Sequence, residues 1–390
     1  MAYDVHELRQ REFPWAAAGE AIYLNHAGTG PLPQRTVRAL REFDDLRAHP
    51  YRLPDDLLFQ TLARGRTLIA DLIGADPAEI ALTPNTTYGI NLAAFSLPLE
   101  PGDVVLTPDR EFPANVYPWM QLARRRGVVY RRIRECHGGV DEDALRRELQ
   151  DPAVRAVAVS WVGFASGYTT NLEAIGRACR ARGAYFVVDA IQGLGPLTLD
   201  VRACHIDLLA CGAQKWLLSP WGSGFVYVRR ELIAELEPNV VSWMAVKASD
   251  DFRRLVDYDL TWRDDARRFE LITLPYQDFA GMNASLELLH ELGPQAVADH
   301  VAQLTDIIIL WAAAQREVEL VTPSVPYRRA GIVSLRMPNA EAVSAALKAA
   351  NIAHAFREGA IRLAPYVYNT RDEMRRTLAV MEESLGAKGG

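Results

Sequence analysis

The chain lacks the features that mark several large protein classes. Its four cysteines, at 136, 179, 204 and 211, form no Cys-x-x-Cys pair, so neither a zinc ribbon nor a disulfide framework is expected. Its eight histidines show no His-x-x-x-His spacing, which leaves a metal centre without a ligand set. No run reaches the roughly 20 uninterrupted apolar residues of a membrane helix. The opening stretch MAYDVHELRQREFPW mixes both charge signs where a signal peptide is apolar. A cytoplasmic location without a membrane partner is expected. An excess of basic charge is missing too: 43 Lys and Arg stand against 49 Asp and Glu, for a net charge of -6. Nucleic acid is therefore not expected as a partner.

What is present is a chain of 390 residues with 49% apolar content, enough for a large hydrophobic core. From about residue 78, short β-branched runs alternate with amphipathic segments, the pattern of βαβ units around a mostly parallel sheet. Seven strands are predicted, at 80–82, 104–106, 127–131, 156–161, 185–189, 206–210 and 224–228. The segment Leu172 to Arg182 reads as a crossover helix, with Leu172, Ile175 and Cys179 on one side and Arg177, Arg180 and Arg182 on the other. After about residue 283 the pattern changes to a long helical stretch over 283–315, a strand at 332–335, a helix from Ala340 and a strand at 360–363. The expected organisation is a large α/β domain over 20–285 and a small α+β domain over 286–390, joined by the N-terminal segment 1–19. No repeat or flexible linker separates them.

Several windows place reactive groups at predicted strand ends. Lys215 follows the apolar run Ile206 to Ala210 and precedes Trp216, Leu217 and Leu218. Burial there disfavours the ammonium form, and a neutral amine can attack an aldehyde to form a Schiff base. A lysine snorkelling to solvent fits the same pattern. Asp189 ends the strand Tyr185 to Val188, and ligands of open α/β sheets bind beyond the carboxyl ends of strands. A carboxylate there can hold a heterocyclic nitrogen protonated, or simply cap a turn. Thr86 and Thr87 stand between a strand and a helical period, where a helix N-terminus can bind phosphate, although N-capping explains one threonine equally well. Phe112 can stack on a planar ring or pack in the core. Arg362, on a short strand, can grip a carboxylate with both prongs or form a structural salt bridge. Thr370 and Glu373 make a capping box for a last helix.

Lysine, aspartate, paired threonines, an aromatic and a late arginine, in this order, resemble the class V aminotransferase family of pyridoxal-phosphate enzymes, of fold type I. The resemblance runs from Tyr23-Leu24-Asn25-His26-Ala27-Gly28 to Arg362-Leu363-Ala364-Pro365-Tyr366-Val367-Tyr368-Asn369-Thr370. It implies that Lys215 holds pyridoxal 5'-phosphate as a Schiff base and moves the α-proton of an amino acid or amine substrate. It further implies that Asp189 keeps the pyridine nitrogen protonated, that Gln192 lies by the phenolic oxygen and that Phe112 stacks on the ring. Thr86, Thr87 and Gln214 then hold the phosphate, Arg362 takes the substrate carboxylate, and Asn25 and His26 lie on the substrate side. By the same resemblance, Thr273, after Arg268-Phe269-Glu270, reaches the phosphate of a neighbouring subunit. A homodimer with its active site at the interface is expected.

Departures from the family pattern bear on the reaction. Desulfurases of the family carry a nucleophilic cysteine shortly before the late arginine, and Asn351 to Ile361 contains none, so persulfide chemistry is not expected. Phe164 stands where those enzymes have asparagine, which implies a more apolar pocket. Transamination is the leading expectation, and epimerisation and C–S β-elimination share the same proton abstraction. Two other classes compete. A nicotinamide oxidoreductase fails on its motif, because Gly193-Leu194-Gly195-Pro196 lacks the third glycine and puts proline where a helix opens. A non-catalytic protein of this fold has no need of both Lys215 and Asp189.

Overall fold

The structure, a computed structural model, describes residues 3–386 apart from 55 and 137. All seven predicted strands form, in one sheet: β1 (Ile80–Thr83), β2 (Val104–Pro108), β3 (Val129–Ile133), β4 (Val154–Ser160), β5 (Tyr185–Asp189), β6 (Leu208–Gly212) and β7 (Gly224–Val228). Their order is β1-β7-β6-β5-β4-β2-β3, and β7 runs antiparallel to both neighbours while the other pairings are parallel. Alternate residues feed two cores: Val157 and Val159 face one, Ala156 and Ala158 the other. With both faces covered, the inner strands are mostly apolar, which is why they stand out in the sequence, whereas the edge strand β3 carries Arg131 and Arg132 and is largely unburied.

Two strands are displaced by two residues from their expected spans. Gly127, at φ +70°, ends the helix Tyr117–Arg126 rather than starting β3. Asp207 is held before β6, where its carboxylate accepts the Phe186 N–H at 2.8 Å and pairs with Arg229 at 2.7 Å. The shift brings β6 closer to Lys215.

Helix α1 (Gln34–Ala48) and helix α2 (Leu57–Ile73) precede the sheet, and α3 (Thr86–Ser96) follows β1. Asn85 caps α3 by accepting the Tyr88 N–H at 2.9 Å, a contact of about 1 kcal/mol. The crossover helix α4 spans Leu172–Arg182 as expected and stops at Gly183, φ +65°. The expected helical stretch over 283–315 is instead two helices, α5 (Tyr276–Leu292) and α6 (Pro294–Ala314). Gly293 at φ +83° followed by proline breaks the run. The expected boundary at 285/286 falls inside α5.

Helix α6 is long and apolar enough by composition to cross a membrane. Its stripe Val301, Leu304, Ile308 and Ala312 is buried in the protein, and it carries Asp299 and Asp306. Beyond it, β8 (Glu319–Leu320), β9 (Val333–Arg336), β10 (Ala355–Arg357) and β11 (Ala360–Leu363) make an antiparallel sheet in the order β8-β9-β11-β10. Helices α7 (Ala340–Ala349) and α8 (Arg371–Gly386) complete this region. The Thr370 capping box forms: Glu373 N–H donates to Thr370 Oγ1 at 3.2 Å, and Thr370 N–H to Glu373 Oε2 at 3.0 Å. The N-terminal strand Ile22–Tyr23 pairs with Ile352–Ala353, so the chain's first residues are tied to its last region.

Candidate active site

The carboxyl ends of β1, β2, β4, β5 and β6 lie on one edge of the large sheet, because these strands all point the same way. That edge gathers most of the predicted residues. Asp189 closes β5, is 2% exposed, and accepts the Ile191 N–H at 3.0 Å through Oδ1. Among the described residues Oδ2 has no hydrogen bond. Burial raises the carboxyl to about 6, against the pull of the Ile191 N–H and of Lys215.

Lys215 follows β6 by three residues, and its Nζ lies 5.7 Å from the Phe112 ring centroid. It makes no hydrogen bond or ion pair among the described residues. Burial lowers its ammonium to about 8, opposed by the attraction of Asp189 and assisted by Arg362. The N-terminal segment seats the lysine: Gly30 N–H donates to Gln214 O at 2.9 Å, and a Cβ on Gly30 would lie 2.2 Å from the Lys215 carbonyl. Only glycine permits that approach.

Thr86, buried at the start of α3, accepts the Gly212 N–H at 2.8 Å through Oγ1, which leaves its own hydroxyl hydrogen free to donate. Thr87 is exposed at the same helix N-terminus. A Cβ on Gly212 would lie 2.5 Å from Gln214 Oε1 and 3.3 Å from Thr86 Oγ1. Thr86 and Gln214 therefore converge at the end of β6. Gln192 is fixed at both ends, with Oε1 accepting Trp216 Nε1–H at 2.9 Å and Nε2 donating to Ala27 O at 3.0 Å.

Phe112 is 44% exposed and meets Phe164 edge to face, with centroids 5.3 Å apart. The Phe164 carbonyl accepts Arg362 Nη1–H at 2.7 Å, which brings β11 of the small sheet to the site. Arg362 is 3% exposed and forms no ion pair among the described residues, and its Nε has no partner. Burial and the like charge of Arg357 lower it to about 10. A buried cation without an anion is costly, so the position suits an incoming carboxylate.

His26 and Asn25 sit further in. His26 is wholly buried, donates Nδ1–H to Ala364 O at 3.1 Å and stacks on Trp216. Burial drops its proton affinity to about 3, so it is a neutral ring that shapes the wall. Asn25 folds its side chain against Gly28. Thr273 is exposed ahead of α5 and shares no hydrogen bond with these residues. Within one chain it stays outside the site.

One residue escaped the sequence reading. Glu111 lies half-buried beside Phe112 and binds Ser160 at the end of β4. The signal available was a carboxylate at a strand's carboxyl side next to a ring-stacking candidate.

These residues fit a flat, anionic, aldehyde-bearing ring: an unpartnered amine, a buried carboxyl, a half-open aromatic, and a helix N-terminus with a free hydroxyl hydrogen. Together with the fold they define a fold type I pyridoxal-phosphate enzyme. Residues 22–376 match the family described as aminotransferase class-V. The uncharacterized aminotransferase YcbU of Bacillus subtilis (strain 168) is 30% identical over 313 residues, covering 80% of this chain and 81% of that protein. The isopenicillin N epimerase of Streptomyces clavuligerus is 30% identical over 325 residues, covering 81% of each. The apo structure of a cysteine desulfurase from Thermococcus onnurineus NA1 superposes with a TM-score of 0.87 at 25% identity, covering 99% of this chain and 100% of that one. The chain belongs to the aminotransferase class-V family and is a pyridoxal-phosphate-dependent enzyme acting on an amino acid.

Proposed function

We propose that the reaction is transamination of an amino acid. The observation that carries the Schiff-base chemistry behind this reading is the Lys215 amine: unpartnered, lowered in proton affinity and near the buried Asp189 carboxyl. When bound, pyridoxal phosphate supplies an aldehyde that condenses with amines and a protonated ring that draws electrons from a breaking bond at Cα. Lys215 in its neutral form would hold the aldehyde-bearing group, and its free amine would take the proton from the substrate Cα onto Nζ. Asp189 holds the proton on the ring nitrogen, since an adjacent cation favours its ionised form. Thr86, Thr87, Gln214 and the open N–H groups of α3 bind the phosphate. Gln192 would lie by the phenolic oxygen, and Phe112 would cover the ring.

Arg362 takes the substrate carboxylate, while Asn25, His26 and Phe164 shape the space for the rest of the substrate. Thr273 serves a neighbouring subunit's phosphate in a homodimer. A desulfurase reading lacks its nucleophile, since Asn351 to Ile361 holds no cysteine.

An amino-acid panel with and without a keto-acid acceptor, read by mass spectrometry, tests the proposal. Acceptor-dependent keto-acid formation is expected. Inverted enantiomer, or pyruvate with released thiol, as the dominant product would replace transamination with epimerisation or β-elimination.

A further inference from the structure

The turn after β2 brings a second carboxyl to the edge of the large sheet, and the chemistry above does not use it. Glu111 lies three residues past the end of β2 and reaches across the end of the neighbouring strand β4. One carboxyl oxygen accepts the Ser160 N–H at 2.7 Å, and the other accepts the Ser160 hydroxyl. Ser160 is in register with Asp189 on β5, and the Trp161 N–H donates to the Asp189 carbonyl at 2.9 Å. A half-buried carboxyl bound at the end of β4 thus stands near the buried carboxyl that ends β5, and the Asp189 charge opposes ionisation of Glu111. The next residue in the chain, Phe112, is the aromatic beside the Lys215 amine.

We infer that Glu111 is a positioning residue that acts through Asp189: its charge sets how tightly protons are held along the line from Asp189 to Lys215. This rests on the pyridoxal-phosphate reading. Burial, with Asp189 adding to it, pushes Glu111 up to about 7, while the two Ser160 donors pull it down. Asp189, raised only to about 6 and favoured as an anion by Lys215, is the carboxyl that stays ionised. Tyr130 on β3 also faces Glu111, which raises its phenol in part, and the cavity that Glu111 lines further carries Glu135, Arg336, Arg357 and Glu358. Arg110, its chain neighbour, pairs with Glu135 at 2.9 Å and reaches Glu358 at 3.6 Å. When Glu111 ionises, its negative potential adds to that of Asp189 and favours protons on the ring nitrogen and at the lysine end of the site.

The test is a titration of the visible absorption of the cofactor-loaded enzyme across the neutral and alkaline range. Glu111→Gln keeps the size of the side chain and removes its charge. The midpoint of the colour change is expected to fall by about half a pH unit or more. Ser160→Ala removes one donor, keeps Glu111 neutral to higher pH, and moves the midpoint the same way by less. A midpoint that stays in place or rises in Glu111→Gln overturns the inference, even if the melting temperature drops, because that is what a purely structural carboxyl would do. Where Glu111→Gln fails to fold, Ser160→Ala decides by the same criterion. A wild-type protein that never acquires a visible band would end the cofactor reading instead, so the two failures are distinct.

Discussion

Two buried arginines meet opposite fates in this molecule. Arg66, on α2, forks onto Glu270 with Nε to Oε1 at 2.8 Å and Nη2 to Oε2 at 2.7 Å. Glu270 Oε1 also accepts the Leu82 N–H from β1 at 2.9 Å. That charge is closed, and it staples α2 and the edge strand to the segment before α5. Arg362 has one carbonyl contact, and the charge that acts on it is the repulsive one of Arg357. Arg268 is also buried and without an ion pair among the described residues, but the charges of Asp264, Asp265 and Glu237 act against the burial that lowers it. Among the described residues, only at the edge of the large sheet do an unpaired guanidinium, an unpaired amine and a buried carboxyl share a site. Closed ion pairs hold the frame, and open charges await a ligand.

The largest expected effect on this contrast comes from the open side. Lys215→Ala should lower turnover by about 10^4, the upper end for removing a positioned proton-transfer group. It should also abolish the yellow band that borohydride bleaches in the wild type. Its melting temperature should change little, because no hydrogen bond or ion pair is lost. A colourless wild type would break the contrast at its root. Next, Arg66→Ala leaves Glu270 as an uncompensated buried charge and should cost about 3–5 kcal/mol of stability. Chemical denaturation measures this, and KM for the substrate should stay near the wild-type value in the folded fraction.

Arg362→Ala reverses that pattern. Loss of a charged hydrogen bond to the substrate is worth about 1.5–3 kcal/mol, so KM should rise roughly 10- to 150-fold by the same scale. Stability should hold or improve, since a buried unpaired charge is removed. A fall in stability comparable to that of Arg66→Ala, with KM unchanged, would make Arg362 another structural cation.

The sequence showed the strands more clearly than their neighbours. Seven runs bounded by Gly, Pro or charge were visible because the inner strands of a doubly covered sheet have no polar face, and the edge strand β3 still shows β-branched and aromatic residues beside Arg131 and Arg132. Their order was not, since it depends on which strand pairs with which after the chain has folded. Lys215, Asp189 and Arg362 were legible because each interrupts or ends an apolar run at a strand terminus. The Arg66–Glu270 pair was invisible, for its members lie 204 residues apart. Glu111 was missed for a similar reason, because its partner Ser160 is 49 residues on. The break at Gly293-Pro294 was readable, and apolar periodicity on both sides masked it. The division of labour between Thr86 and Thr87 needed the approach of Gly212, which no local pattern encodes.

The smallest expected effect needs no chemistry at the substrate. Lys215 attacks an aldehyde only when unprotonated, and burial brings it from 10.5 to about 8. Cofactor capture by the apoprotein, followed by stopped-flow absorbance, should therefore accelerate with pH and level off near pH 8, where an ordinary lysine would keep gaining. Arg362 contributes to that lowering through its like charge, whereas Arg66 does not figure among its causes. In Arg362→Ala the proton affinity of Lys215 rises, so the plateau should move to higher pH, and in Arg66→Ala it should stay where it is. A plateau at the same pH in both variants would show that the open guanidinium and the open amine do not sense each other, and the two arginines would differ in partners but not in purpose.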